Sequence, residues 1–321
     1  MTRYILGRLF WGLVMVLGVV VVDFLITHLL PGDPIDALVG NYPAPAAYIE
    51  RVRHDFGLDE SLAAQLGHFL VNLAQGNLGF SFVNRQPVLP LILDRAGVTL
   101  ILMLPSLILA SLIGVALAVA ATGRNGRLMD SVLTGVSLTG HSIPVFWLAQ
   151  ILIVVFAIKL QWLPAQGMRS IRTHDPMLDL LRHLMLPAFC ITVYYVAVVA
   201  RVARASMLEI LHQDFVLTAR AKGISRRAVL WRHVLRNAAI PVITVVGYNV
   251  GTSLTGAILT ETVFAWPGLG GLFINSIANR DYPVLSGIFL LASIAVVIGN
   301  IITDLLYAVA DPRIRMTPAR V

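Results

Sequence analysis

The chain has 321 residues, 57% of them hydrophobic and 13% charged, with a formal net charge of +7. A soluble domain of this size carries roughly 25% charge. With a mean hydropathy of +0.81, this chain has too little polar surface to cover a water-exposed globule, which excludes a soluble enzyme with a large core as the leading reading.

The N-terminal residues Met1 to Arg8 lead into an apolar run, Leu9 to Leu30. No small-x-small cleavage site follows it; Pro31-Gly-Asp-Pro34 does. The run is therefore expected to be a retained first helix and not a cleaved signal. A helix needs about 20 mostly apolar residues to cross the hydrocarbon core. Six windows meet this: about Leu9–Leu30, Val98–Ala121, Ser131–Leu160, Leu184–Val202, Ala238–Leu259 and Val284–Val309. The third contains Pro144, in His141-Ser142-Ile-Pro144, and a kink is expected there. Cys190, the single cysteine, lies in the fourth window with no charged neighbour in sequence to lower its pKa. It reads as a small packing residue, and one cysteine excludes an internal disulfide.

Charge placement orients the spans. With the N-terminus in the cytoplasm, the inner segments 1–8, 123–130, 201–237 and 310–321 hold 15 of the 24 Lys and Arg and only four acids. The opposite topology puts the most basic loop outside. The loop from Lys159 to Arg182 runs against the bias, with four basic residues against two acids, but does not overturn it. The sequence pI near 10.0 is thus the inward bias of a membrane protein. No basic stretch is interleaved with stacking aromatics as a single-strand groove requires, so no nucleic-acid partner is expected.

Two loops stand out. The first outer loop, about Pro31 to Arg95, carries Leu58, Leu62, Leu66, Phe69 and Leu73 near helical spacing. Short helices on the outer face are expected there, serving either as a lid packed on the spans or as a docking surface for a soluble partner. The inner loop from Arg201 to Arg236 holds eight Lys and Arg against two acids. Two helical segments, Ser206–Lys222 and Arg226–Ala239, flank Gly223, where a tight turn is needed. Such a pair makes a rigid knob able to transmit force. Composition alone favours the other reading, a basic belt held by anionic headgroups.

Polar residues recur along two spans: Asn249, Ser253, Gly256 and Thr260 in the fifth, and Ser286, Ser293, Asn300 and Asp304 in the sixth. Asn249, Ser253, Ser293 and Asn300 are the candidates for a translocation path. Small residues also let helices approach closely, and Gly247-x-x-x-Gly251 is a packing motif. Packing is the better account of the Ser and Thr positions. The two asparagines cost more to bury and are the stronger candidates. Asp304 is either functional or half of a structural pair with a neighbouring chain. Asp23 and His28 mark the outer end of the first span.

Several segments carry a family resemblance. Thr218-Ala-Arg-Ala-Lys-Gly223 followed by Leu235-Arg-Asn-Ala-Ala-Ile-Pro241 resembles the coupling loop of oligopeptide and dipeptide ABC importer permeases of the B type. Pro31-Gly-Asp-Pro34, Ile258-Leu-Thr-Glu-Thr-Val-Phe-Ala-Trp-Pro-Gly-Leu-Gly270, Arg280-Asp-Tyr-Pro-Val284, Asp304-Leu-Leu-Tyr307 and Asp311-Pro-Arg-Ile-Arg315 resemble the same family, over nearly the whole chain. The wider importer pattern has Glu-Ala-Ala where this chain has Leu217-Thr218-Ala219, and a Pro where Arg236 stands. The missing Glu removes any specific salt bridge to an ATPase from the expectation.

The resemblance implies an all-α membrane protein of six transmembrane helices with both termini cytoplasmic. It implies a long first periplasmic loop and a cytoplasmic coupling helix between spans four and five. Residues 1–95 form the first span plus outer loop, and 96–321 the five-span permease core. The implied role is peptide import across the bacterial inner membrane, by alternating access. The implied partners are a homologous second permease, two ATP-binding cassette subunits, a substrate-binding protein outside and membrane lipid. Thr218, Ala219, Ala221, Lys222, Gly223 and Arg226 are the ATPase-coupling candidates. No catalytic residue, metal or cofactor is expected on this chain. No Gly-x-x-x-x-Gly-Lys-Ser/Thr loop occurs, so ATP and Mg are expected to be used by the partners. A nickel or metal-chelate importer is the nearest rival, weakly disfavoured by the dispersed His. A membrane hydrolase built on Ser142 lacks the second glycine of Gly-x-Ser-x-Gly, and a self-sufficient secondary transporter lacks its inverted repeat.

Overall fold

Inside hydrocarbon every backbone polar group has to be satisfied within its own segment, so apolar runs take up helices. The computed structural model describes residues 2–29, 50, 59–81, 83–123, 135, 142–170 and 175–310. Among these, α1 (Thr2–Leu29), α3 (Val88–Gly123), α5 (Pro176–Leu211) and α12 (Tyr282–Ala310) contain segments long and apolar enough to cross a membrane. A bent pair, α7 (Arg226–Asn237) and α8 (Ala239–Gly251), meets the same test together, with a 57° angle between its halves. The first, second, fourth and sixth expected spans are thus continuous helices. The fifth is not. It breaks at Thr252 and Ala257 into α8, α9 (Ser253–Gly256) and α10 (Ile258–Val263). Most of the third window lies outside the described residues. Its remainder is α4 (Val145–Lys159), whose second half from Ile153 takes the wider π turn. Pro144 is the residue before that helix and not inside it, and most of the chain ahead of it lies outside the described residues.

α5 outruns its expected window at both ends. Asp175 caps it, accepting from the backbone N–H of Met177 (3.0 Å) and Leu178 (3.1 Å), with Pro176 at the first position. At the other end the helix carries Arg201, Arg204 and Met207 onward to Leu211. The expected Ser206–Lys222 segment is therefore split, with Ser206 in α5 and the remainder in α6 (Asp214–Ala221).

α3 and α5 form the centre of the bundle. Gly114 lets α3 meet α5 closely; a Cβ there comes within 2.9 Å of Val199. Leu102, Met103 and Leu107 pack with Ile191, Ala257 and Trp266. α8 crosses α12 through glycines, with Gly247 against Thr303 and Gly251 against Val296 and Gly299. A Cβ on Gly299 lies 2.6 Å from the Gly251 Cα, so only glycine permits this approach. α1 leans on α12. Arg8 makes a two-point ion pair to Asp304 (Nε to Oδ2 2.9 Å, NH2 to Oδ1 3.0 Å), and Gly12 makes room for Val297. Asp304 thus has a partner within its own chain.

α2 (Leu62–Ala74) holds Leu62, Leu66, Phe69 and Leu73 on a helix capped by Ser61, as the spacing predicts; Leu58 lies outside the described residues. Phe69 meets Phe24 of α1 at a ring separation of 5.8 Å. A two-residue hairpin, β1 (Phe80–Ser81) with β2 (Gln86–Pro87), pairs antiparallel with Phe80 opposite Pro87. It leads into α3 and is pinned to the start of α12, because the buried Ser81 hydroxyl donates to Asp281 Oδ2 at 2.5 Å.

Candidate functional site

The knob occupies the end of the bundle where α3 and α5 finish. α6 ends in a glycine cap. Gly223 has φ +74, its N–H donates to the Arg220 carbonyl (2.9 Å), and the Ile224 N–H reaches back to the Ala219 carbonyl (3.3 Å). This is the doubly bonded C-terminal turn that favours glycine at the left-handed position. Ser225 then opens α7, its hydroxyl accepting from the Ala228 N–H at 3.4 Å. Sequence placed the turn at Gly223, and the structure supplies its hydrogen bonds.

The knob is bolted to the bundle from below. Val216 and Ala219 of α6 pack in one buried cluster with Val229, Leu230 and Val234 of α7. Ala118 and Val119 of α3, Ala203 and Met207 of α5, and Ala238 complete it, and Ile224 packs at its edge. Displacing α6 therefore loads α3 and α5 directly, through packed side chains. Of the coupling candidates, Thr218, Ala221, Lys222, Gly223 and Arg226 are exposed. Ala219 is not; it is 5% exposed and belongs to the cluster. It anchors the surface without being part of it. Leu217 and Phe215 are exposed on the same short helix, giving the tip an apolar component that the basic count had hidden.

The opposite end of the bundle holds a polar lock that sequence reasoning missed. Glu261, 1% exposed on α10, accepts from the Thr99 hydroxyl (2.7 Å) through Oε1 and from the Gly270 N–H (2.6 Å) through Oε2. Thr99 in turn accepts from the Leu269 N–H at 2.9 Å. The carboxyl thus closes the N-terminus of α11 (Leu269–Ala278) and ties it to α3. Trp266 Nε1 donates to the Val98 carbonyl (3.0 Å) and Arg95 to the Pro267 carbonyl (2.8 Å). Gly270 sits so close that a Cβ comes within 2.6 Å of the Ile258 Cα. Burial pushes the Glu261 carboxyl up to about 7, against the two hydrogen bonds that favour its charged form. Beside it lies a cavity of about 290 Å³ bordered by Asn84, Arg95, Trp266 and Asn275. The detectable signal was an acid just past an apolar span and ahead of Gly268-Leu-Gly-Gly271.

The path candidates divide. Asn249 (6% exposed) and Ser253 are buried between helices, and Asn249 Nδ2 has no acceptor among the described residues. Ser293 is half-buried, its hydroxyl bonded to the Phe289 carbonyl (2.8 Å), and Asn300 is exposed. Asn249 and Ser253 therefore face the packed interior, whereas Asn300 faces outward. Ser142 is exposed at the break before α4, and His141 lies outside the described residues. No group of three or more His, Cys, Asp or Glu able to hold a metal occurs among the described residues.

Membrane-length helices packed beneath a glycine-capped knob define a multi-pass membrane fold. A chain of the inward-facing MetNI methionine ABC transporter has this fold, with a TM-score of 0.56 at 17% identity, covering 69% of this chain and 96% of that one. A chain of an amino acid ABC transporter shares it at a TM-score of 0.50 and 14% identity, covering 68% and 92%. The model for the binding-protein-dependent transport system inner membrane component matches residues 110–316, and that for the N-terminal part of such components matches 1–103. The chain belongs to this family of transport-system permease components. Relatives include a putative peptide permease protein of Brucella suis, 43% identical over 99% of this chain and 100% of its own length. The di/tripeptide transport system permease protein DppB of Pseudomonas aeruginosa is 40% identical over 93% and 94%. The dipeptide transport system permease protein DppB of Escherichia coli is 35% identical over 98% and 99%.

Proposed function

We propose that this chain is the B-type permease subunit of an ATP-driven importer of di- or oligopeptides in a bacterial inner membrane. Six spans place both termini and the knob in the cytoplasm, with the hairpin, α2 and the Glu261 lock outside. Residues 1–95 form the first span with its outer loop, and 96–321 the permease core. A homologous second permease completes the pathway, two ATPases bind beneath and a substrate-binding protein docks outside. The names of the full-length relatives support peptides as cargo.

The observation that carries the mechanism is the seating of α6 on the shared α3–α5–α7 cluster. Thr218, Ala221, Lys222, Gly223 and Arg226 enter a groove of the ATPase, and Ala219 holds them to the bundle. Closure of the ATPase pair moves the knob, and α3 and α5 move with it as rigid bodies. ATP and Mg are used by the partner ATPases, a reading supported by the family match and by a sequence without a Gly-x-x-x-x-Gly-Lys-Ser/Thr motif. The test is copurification from solubilised membranes together with labelled dipeptide uptake in cells with and without this chain. A second permease and ATPases should come with it, and uptake should vanish in its absence. Unchanged dipeptide uptake, or uptake of a nickel chelate in its place, overturns the cargo assignment.

A further inference from the structure

Exposed faces along the other spans are mostly aliphatic: Leu9 and Leu13 on α1, Ile108 and Leu112 on α3, Ile298 and Ile302 on α12. That is the face lipid requires. α8 differs. Its exposed positions are Pro241, Thr244 and Tyr248, with Tyr248 64% exposed. Tyr248 stands ~14 Å of helical rise from the start of α8, near the middle of a hydrocarbon core about 30 Å thick.

A second helix supplies the other wall. α8 and α12 run antiparallel, since Gly247 meets Thr303 while Gly251 meets Gly299 and Val296. The Tyr307 hydroxyl donates to Thr244 Oγ1 at 2.6 Å, which places Thr244 and Tyr307 on one edge of the seam. Asn300 precedes Tyr307 by two turns and Ser293 precedes Asn300 by two more, so all three follow nearly the same line along α12. Tyr248 lies one turn beyond Thr244 on the same line of α8. A polar strip about 20 Å long therefore borders the α8–α12 seam, spanning depths where polar side chains facing lipid are costly.

We propose that Thr244, Tyr248, Asn300 and Tyr307 line the route of the solute, an inference that rests on the permease reading above. Their chemistry fits a peptide backbone. Hydroxyl and amide groups both donate and accept, and the tyrosine faces tolerate varied side chains. The nearest acid, Asp304, is engaged by Arg8, so the strip has no free formal charge to hold a zwitterionic peptide too tightly for release.

The test uses the complete transporter in membrane vesicles, with Tyr248→Cys and Asn300→Cys variants and Ile298→Cys as the lipid-facing control. The reagent is a small, charged, membrane-impermeant methanethiosulfonate. Native Cys190 is buried and gives this chain a low background. Both seam variants should label on this chain well ahead of the control, labelling should block uptake, and excess dipeptide should slow it severalfold. In addition, Tyr248→Phe should change the KM for dipeptide by roughly 2- to 10-fold, the worth of one hydrogen bond, with the amount of assembled complex unchanged. Normal uptake combined with seam labelling no faster than the control overturns the seam and leaves the permease reading standing. Seam labelling that leaves dipeptide uptake unchanged overturns it too. Absence of peptide uptake by the unmodified transporter removes the permease reading and the seam with it.

Discussion

Replacing Gly223 separates its observed role in capping α6 from the ATPase contact proposed for it. Its φ of +74 belongs to the left-handed region, where a Cβ costs roughly 1–2 kcal/mol. A Cβ built on it meets nothing within 4 Å, so there is no steric addition to that cost. Gly223→Ala should therefore loosen the end of α6 by about 1 kcal/mol, roughly fivefold in the ratio of capped to frayed turns. Gly223→Asn should cost less, since asparagine tolerates this conformation. Gly223→Glu has the backbone cost of the alanine variant and adds a carboxylate and bulk at the apex of the knob. All three should assemble into membranes, because the buried cluster under α6 is untouched. ATP-driven dipeptide uptake should remain substantial in the alanine and asparagine variants. In the glutamate variant it should fall on the order of tenfold or more, equivalent to about 1.4 kcal/mol or more of lost docking. Equal uptake by the alanine and glutamate variants, at matched complex levels, would refute the argument that Gly223 is a contact surface.

Three further outcomes are expected. Glu261→Ala strands the Gly270 N–H and leaves Thr99 without its acceptor, at a cost of about 1–3 kcal/mol for each buried group; the melting temperature of the solubilised complex should fall, and no change would remove the lock. Since burial holds the Glu261 carboxyl up to about 7 but the group returns to its ordinary value of 4.5 when the lock opens, the lock should weaken as pH rises between those values and level off above; thermal melts across that range should show this slope, and Glu261→Gln should flatten it. Asp304→Ala leaves Arg8 without this carboxylate and should free α1 from α12, as read by faster proteolysis near the N-terminus; exchanging the two residues as Arg8→Asp with Asp304→Arg should restore resistance, and failure of the exchange would point to a role for Asp304 other than this pair.

Most of the helical frame was legible because its cause is local. α1, α3, α5 and α12 follow from hydropathy alone, and Gly223 from the need for a left-handed turn. What escaped depends on contacts distant in sequence. Glu261 looked like one acid in an outer loop until Thr99, 162 residues away, completed its bonds. Asp304 offered no clue that Arg8, 296 residues earlier, was its partner. The fifth span looked continuous because composition does not register the breaks at Thr252 and Ala257. The polar stripe chosen from spacing there, with Asn249, Ser253 and Thr260, is the buried face of that segment. Periodicity identifies a face but not what covers it, and Thr244 and Tyr248, on another face of the same segment, are the exposed pair. Ala219 escaped for the same reason, since a small residue beside a turn serves a groove or a core equally well.

Peptide should move through this chain only when ATPases in trans drive its knob. The direct measurement is reconstitution of the purified complex in proteoliposomes with binding protein and labelled dipeptide, with and without ATP, beside proteoliposomes holding this chain alone. Accumulation is expected from the complex with ATP, with none without it and none by the chain alone. Dipeptide accumulation by the isolated chain would contradict it and make the protein a self-sufficient transporter.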